Sequence, residues 1–259
     1  MRFAFILALV LAAAPASAIA DDQPSTRDDA PRGTPDFLFG RPRGAGGIRG
    51  SWLFARADSD WYRFVSGPDQ LTIEPSDFNA PGIAGTVGIA IASRVDAVFD
   101  AEFSQTNVSS EYRNFVDNNR QPITQTTRLS QVSLMGGAKI ALTPRGRQIS
   151  TYAWIPRAVV PYAGAGAGAL FYQLRQQGDF IDVLTPQRTI FYDTFLSTEW
   201  TPAAHVCGGV DMRVARRMYA TLDARYLWAS GKMDRRQFIG FDNLDLAGLR
   251  MSAGVNFLF

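Results

Sequence analysis

Cysteine and histidine are almost absent from these 259 residues: there is one of each, Cys207 and His205. A single cysteine excludes an intrachain disulfide framework and any cysteine-based zinc or iron–sulfur site. A single histidine excludes sites that need several imidazoles. Lysine is nearly missing too, standing only at Lys139 and Lys232, so the positive charge is carried by arginine. Net charge is small: 26 Lys+Arg against 24 Asp+Glu leave +2. That is not the basic footprint of a nucleic-acid binder, and no nucleic-acid partner is expected. Apolar residues make up 46%, too many for a disordered chain. After the first twenty residues no apolar run is long enough for a membrane-spanning helix.

The opening segment reads as an address. Met1-Arg2 is a short positive start, and Phe3 to Ala14 is an apolar stretch of signal-peptide length. Pro15 and the small-residue patterns Ala16-Ser17-Ala18 and Ala18-Ile19-Ala20 follow, so cleavage is expected after Ala20. No cysteine follows, and a lipid-anchored form is not expected. Residues 21–46 hold Pro24, Pro31, Pro35 and Pro42 among Asp, Arg and Gly, a composition that predicts a flexible periplasmic arm. Within it, Asp36-Phe37-Leu38-Phe39-Gly40 is a small apolar knot with the means to dock on a rim.

From 47 to 259 the dominant signal is alternation with period two. Leu249, Met251, Ala253, Val255, Phe257 and Phe259 share one face, and Arg250, Ser252, Gly254 and Asn256 share the other. The same holds for Ala220 to Trp228 against Thr221, Asp223 and Arg225, and for Val95 to Phe103 against Asp96, Asp100 and Glu102. Segments 47–57, 82–92, 127–142, 159–173 and 195–214 fit less cleanly. The sum is eight strands, each long enough to cross a thin membrane when tilted. Ser93-Arg94 and Ala215-Arg216-Arg217 are tight turns, whereas 58–81, 105–126, 174–194 and 230–245 read as long polar loops. The segment 143–158 falls on the short-turn side yet is long, and reads as a periplasmic excursion of no evident purpose.

Alternation alone does not say which face is inside, since a soluble lipocalin-like barrel has the same period with the sign reversed. Three features choose. The polar face carries Arg, Asp, Glu and Gly, which suits a crowded lumen where a planar guanidinium bonds two carboxylate oxygens. Trp52, Trp154, Trp200 and Trp228 lie near strand ends, as in an interfacial girdle. The chain closes on Asn-Phe-Leu-Phe, with Phe257 and Phe259 on the apolar face.

On these residues the body resembles the eight-stranded outer-membrane β-barrel superfamily, the group holding the OmpA-type transmembrane domain and OmpW-like proteins. The resemblance covers about 47–259 and implies an all-β, closed, antiparallel transmembrane barrel with short periplasmic turns and long extracellular loops. It implies that Phe257 and Phe259 serve as the C-terminal signal for the barrel insertion machinery. Outer-membrane lipid and lipopolysaccharide are the implied surroundings, with a monomer as the simplest state. Unlike for full-length OmpA, no C-terminal peptidoglycan-binding domain is expected.

The inward positions then collect Arg49, Lys139, Arg213, Arg225 and Arg250 with Asp96, Asp100, Glu102, Glu199, Asp211 and Asp223. An eight-stranded barrel is only wide enough for side chains to fill. The expectation is an interlocked ion-pair network that blocks the lumen, with Gly164, Gly166 and Gly168 making room for long side chains. His205 and Cys207 also face inward, but no serine adjoins them and nothing marks an activated thiolate. No enzyme activity, cofactor or metal is therefore expected. Asp117 with Asn118 and Asn119 lacks the spacing of a calcium loop. The expected role is envelope integrity or surface contact. The alternatives are a narrow channel or lateral-exit transporter for small molecules and, after it, an outer-leaflet lipid enzyme.

Overall fold

The computed structural model describes residues 38–68, 70–117, 119–151, 153–182 and 189–259. The signal segment 1–20 and most of the 21–46 arm lie outside the described residues, as does Asn118. Strand β1 (Leu38–Phe39) is followed by β2 (Gly44–Ala55), β3 (Ala80–Ala90), β4 (Val95–Val116) and β5 (Pro122–Ala141). Then come β6 (Gly146–Ser150), β7 (Ala153–Pro156), β8 (Val159–Ile181), β9 (Ile190–Ala215), β10 (Met218–Lys232), β11 (Asn243–Asp245) and β12 (Gly248–Leu258). Eight of these close a ring in the order β2-β3-β4-β5-β8-β9-β10-β12, with β12 returning to β2. Every pairing is antiparallel. The fold is a closed eight-stranded barrel, and its first strand begins at Gly44, inside the segment read as an arm.

The two faces of each strand sort as their alternation predicts. Ile48, Ile89, Phe99, Leu222, Met251 and Phe257 point outward and are exposed, whereas Arg49, Asp100, Asp223, Arg225 and Arg250 point inward and are buried. A one-residue slip would exchange the two sets entirely, so the register of every strand is strongly fixed.

The ring is lopsided. β4, β5, β8 and β9 run 22, 20, 23 and 26 residues, against 12, 11, 15 and 11 for β2, β3, β10 and β12. The surplus rises at the end away from the short turns, as a four-stranded wall. Much of the sequence read as polar loop at 105–126 and 174–194 is therefore strand. Its Thr, Ser, Gln and Tyr are strand-competent once paired, and polarity on both faces removes the signal that marks a half-buried strand. The free edge of the wall at β4 is covered by 70–72: Thr72 N donates to Glu111 O and Arg113 N to Gln70 O, each at 2.9 Å.

The loop end of the barrel is filled with apolar side chains. After β2 the chain turns inward through a short helix, α1 (Asp60–Val65), and a 3-10 turn at Pro75–Phe78. Trp61, Tyr62 and Val65 of α1 are buried with Phe78, and their rings meet edge to face at centroid distances of 4.7–5.8 Å. This knot packs on Leu129, Met135, Leu170, Tyr172, Leu174 and Leu227 from the barrel, and on Met233, Phe238, Leu244 and Leu246 from the last long connection. Burial raises the Tyr62 phenol well above its ordinary range, so it stays protonated. Arg56 and Asp245 tie the two connections together: Nε and Nη2 donate to the carboxylate at 2.7 and 3.0 Å, and Asp58 N adds a third bond at 2.9 Å. The salt-bridging Asp245 in turn raises the Arg56 guanidinium further above its usual range.

At the turn end, the long 143–158 segment is a β6–β7 hairpin, and β1 pairs with β7 through Leu38 and Trp154. Trp154 is thus buried, at 7% exposure, and is not part of an outward girdle. Tryptophan position in the sequence marks a strand end without telling whether that strand is in the ring. Trp52, Trp200 and Trp228 do point outward.

Trp61→Ala should lower stability by about 3–5 kcal/mol because it opens the centre of the apolar fill. Phe64→Ala, on the exposed side of the same helix, should change it by about 0.5 kcal/mol or less. Urea midpoints of the refolded protein in detergent check both.

Candidate functional site: the charged lumen

The lower lumen is built from strands that alternate long polar with small inward residues. The inward face of β3 holds Ala80, Gly82, Ala84, Thr86, Gly88 and Ala90. With nothing large between them, Arg49 of β2 reaches Asp100 of β4, and Ser51 Oγ donates to Glu102 Oε1 at 2.7 Å, each bond spanning β3. β8 does the same on the other side: Lys139 of β5 reaches Asp211 of β9 across it, Nζ to Oδ2 at 2.6 Å.

Asp100 is the hub. Its Oδ1 accepts from Arg49 and its Oδ2 from Arg225 Nη2 at 3.3 Å. Arg225 Nε also lies 3.7 Å from Asp223 Oδ1, and Tyr162 donates to Asp223 Oδ2 at 2.8 Å. Above this layer Arg250 faces Glu102 at 3.6 Å and donates to Gln131 at 2.9 Å. Below it Thr221 donates to Asp211 at 2.8 Å, Asn256 donates to Thr221 at 2.6 Å, and Lys139 sits 3.7 Å over the Tyr162 ring. Lowest of all, Arg145 from the strand-linking segment before β6 enters the lumen and binds Asp96 at 2.6 Å.

The structure therefore joins nine of the eleven charged residues expected inside through ion pairs: Arg49, Asp96, Asp100, Glu102, Lys139, Asp211, Asp223, Arg225 and Arg250. Glu199 stands apart near the loop end, accepting from Lys232 N at 2.6 Å. Arg213 lies at the turn end of β9, where its N–H donates to Ala158 O at 2.7 Å. Sequence reasoning missed Arg145, Tyr162, Gln131 and Ser51. The last three alternate correctly with inward neighbours and were legible in principle. Arg145 was not, because it comes from a segment outside the strand pattern.

His205 is inward and buried at 5% exposure, and Cys207 is partly buried beside it. Gly164 and Gly166 make room for these two side chains rather than for arginines: a Cβ at 166 would fall 2.6 Å from His205 Cε1, and one at 164 would fall 2.9 Å from Cys207 Sγ. A cavity of about 60 Å³ is lined by Arg49, Asp100, His205, Cys207, Asp223 and Arg225. A second, of about 80 Å³, lies below it against Lys139, Arg145, Trp154 and Asp211. Both present charged groups and are roomy enough for water, although the lower one is lined mainly by apolar atoms. Among the described residues, no cluster of three or more His, Cys, Asp or Glu side chains is placed to hold a metal ion.

No family model and no curated protein matches the chain. Solved structures similar to it include Neisserial surface protein A, at 13% identity and TM-score 0.44, covering 83% of this chain and 96% of that one. Others are the outer membrane protein OprG from Pseudomonas aeruginosa, at 11% and 0.43 over 86% and 99%, and the attachment invasion locus protein Ail of Yersinia pestis, at 12% and 0.42 over 84% and 99%.

Arg225→Ala leaves Asp100 and Asp223 short of a buried cation and should cost about 3–5 kcal/mol, read as a lower melting temperature in detergent. Arg145→Ala, at the more open end of the lumen, should cost less than half as much in the same assay.

Proposed function

We propose that the protein is an integral outer-membrane barrel that seals rather than conducts, with a structural or surface-contact role carried by the wall at its loop end. The observation that carries this reading is the orientation of the two faces. The apolar outward rows need an apolar surrounding, and the inward charges are matched among themselves. A water-soluble barrel would reverse both. Short turns at one end and long connections at the other give the periplasmic and extracellular sides. Two successive fills support a sealed lumen: the ion-pair layers below, and the apolar knot around Trp61 and Tyr62 above. His205 sits in the wall of a narrow internal cavity, which supports a non-catalytic reading.

A second reading rests on one feature. A cleft of about 310 Å³ opens at the loop end between Phe64, Tyr112, Phe180, Phe195, Phe238 and Ile239, with the buried amides of Gln125 and Gln176 in its lining. Its size and lining suit a small, largely apolar molecule that enters from outside.

The protein reconstituted in planar bilayers should give no steady single-channel conductance, and it should stay with membranes through alkaline carbonate extraction. A persistent open pore overturns the sealed-lumen reading. Release by carbonate overturns the membrane reading. Uptake of small apolar solutes into vesicles, abolished by Phe195→Gln, would favour the second reading over the first.

A further inference from the structure

The two ends of the barrel carry charge differently. At the loop end exposed acids such as Asp58, Asp60, Glu74 and Asp234 are interspersed with Arg63, Arg235 and Arg236, and several pair: Arg63 with Asp60 at 2.6 Å, Arg235 with Asp242 at 2.8 Å. At the turn end the described residues expose no acidic side chain. The two acidic side chains there, Asp96 and Asp211, turn into the lumen and are taken by Arg145 and Lys139. Outside, besides Arg41, whose exposed guanidinium is engaged by the Ala92 and Ser93 carbonyls, stand six exposed guanidiniums, those of Arg43, Arg94, Arg147, Arg157, Arg216 and Arg217, and no carboxylate pairs with any of them among the described residues.

Their placement has two further properties. They occur on every connection at that end: the lead into β2, the β3–β4 turn, the β5–β8 segment and the β9–β10 turn. They therefore surround the barrel instead of marking one side. The backbones of four are also pinned to strand ends. Arg43 N donates to Phe259 O at 2.9 Å, Ala141 N to Arg94 O at 2.7 Å, Arg157 N to Arg145 O at 2.7 Å, and Leu258 N to Arg217 O at 2.8 Å. The last outward apolar residues, Ile91, Leu142, Val159, Val214 and Phe259, stand within a few residues of these arginines in the chain or next to these bonds, and all of them are exposed. A partner protein or a glycan strand would meet one side of the rim. A circular set of cations directly below an apolar belt matches a ring of headgroups.

We propose that these six arginines form a belt that binds the phosphates of anionic phospholipids in the inner leaflet of the membrane. The inference rests on the membrane reading above and adds the lipid class. Guanidinium suits the task because it bonds two phosphate oxygens at once and stays charged at any physiological pH. Each basic residue near an anionic surface contributes a comparable increment, so the belt acts additively and is weakened by salt. It also gives the barrel a vertical reference: the belt fixes how far the turn end sinks, while the tryptophans of the opposite rim fix the other interface.

The test uses the mature protein reconstituted in phosphatidylcholine vesicles doped with spin-labelled phosphatidylglycerol or spin-labelled phosphatidylcholine. Electron paramagnetic resonance reads the fraction of each label immobilised at the protein. Phosphatidylglycerol should be preferred, and the preference should fade with added salt. The Arg94→Gln/Arg216→Gln/Arg217→Gln variant should reduce it by roughly fivefold in relative association constant for each arginine that engages a headgroup. The same three positions changed to Lys should keep most of it. Arg175→Gln/Arg236→Gln, at the loop end, should leave it unchanged. Equal immobilisation of the two labels by the unaltered protein overturns the proposal, as does a triple Gln variant with the full preference or a loop-end variant that loses it. Failure to enter either vesicle overturns the membrane reading, and the belt falls with it.

Discussion

A single carboxylate shared by two arginines holds the centre of this barrel together. Asp100 accepts from Arg49 on one side and Arg225 on the other, and those three side chains come from strands that are not neighbours in the ring. Charges in a space this narrow are tolerable only when each meets its opposite with good geometry. That requirement propagates outward. β3 must present small residues so that Arg49 can cross it, and β8 must present glycine so that His205 and Cys207 can lie flat. Every strand must also keep the register that sends its apolar face outward. The apolar exterior and the charged interior are one constraint seen from two sides.

The lumen is closed twice, by different physics. The lower closure is electrostatic and polar, and it retains small cavities. The upper closure is hydrophobic: aromatic side chains of α1 and the adjoining turn occupy the space that the inward Leu and Met of the barrel leave open. The junction between the two runs near Met135, Gln131 and Arg250, where the inward residues change from apolar to charged. A barrel filled this way gains stability from its connections as well as its strands. This explains why the connection after β2 is tied down so firmly by Arg56 and Asp245.

The asymmetry between the ends is the other organising feature. Half of the ring continues past the belt as a wall, with aromatic and amide side chains on its inner side and a covered edge at β4. The opposite end carries the small three-stranded sheet β1-β7-β6 and exposed arginines on each of its connections. Among the described residues, the exposed charged side chains of that end are all of one sign, whereas those of the wall end are mixed.

The period-two alternation, clearest in 249–259, 218–229 and 95–104, determined the strands and sorted their side chains into an apolar and a polar face, because a pleated backbone leaves no other choice; which face turns inward was decided by the Arg–carboxylate make-up of the polar face, the strand-end tryptophans and the closing Phe-Leu-Phe. It also determined that Arg49, Asp100, Asp223, Arg225 and Arg250 share an enclosed space. It did not determine who bonds to whom, since partners such as Arg49 and Asp100 are brought together only by ring closure and by the smallness of the intervening strand. Nor did it reveal that Trp154 lies under a hairpin, that Arg145 enters the lumen, or that Trp61 and Tyr62 fill the mouth. Those residues sit in connections without a period, and only tertiary packing, which rewards any apolar group that reaches a cavity, decides where an aperiodic segment goes.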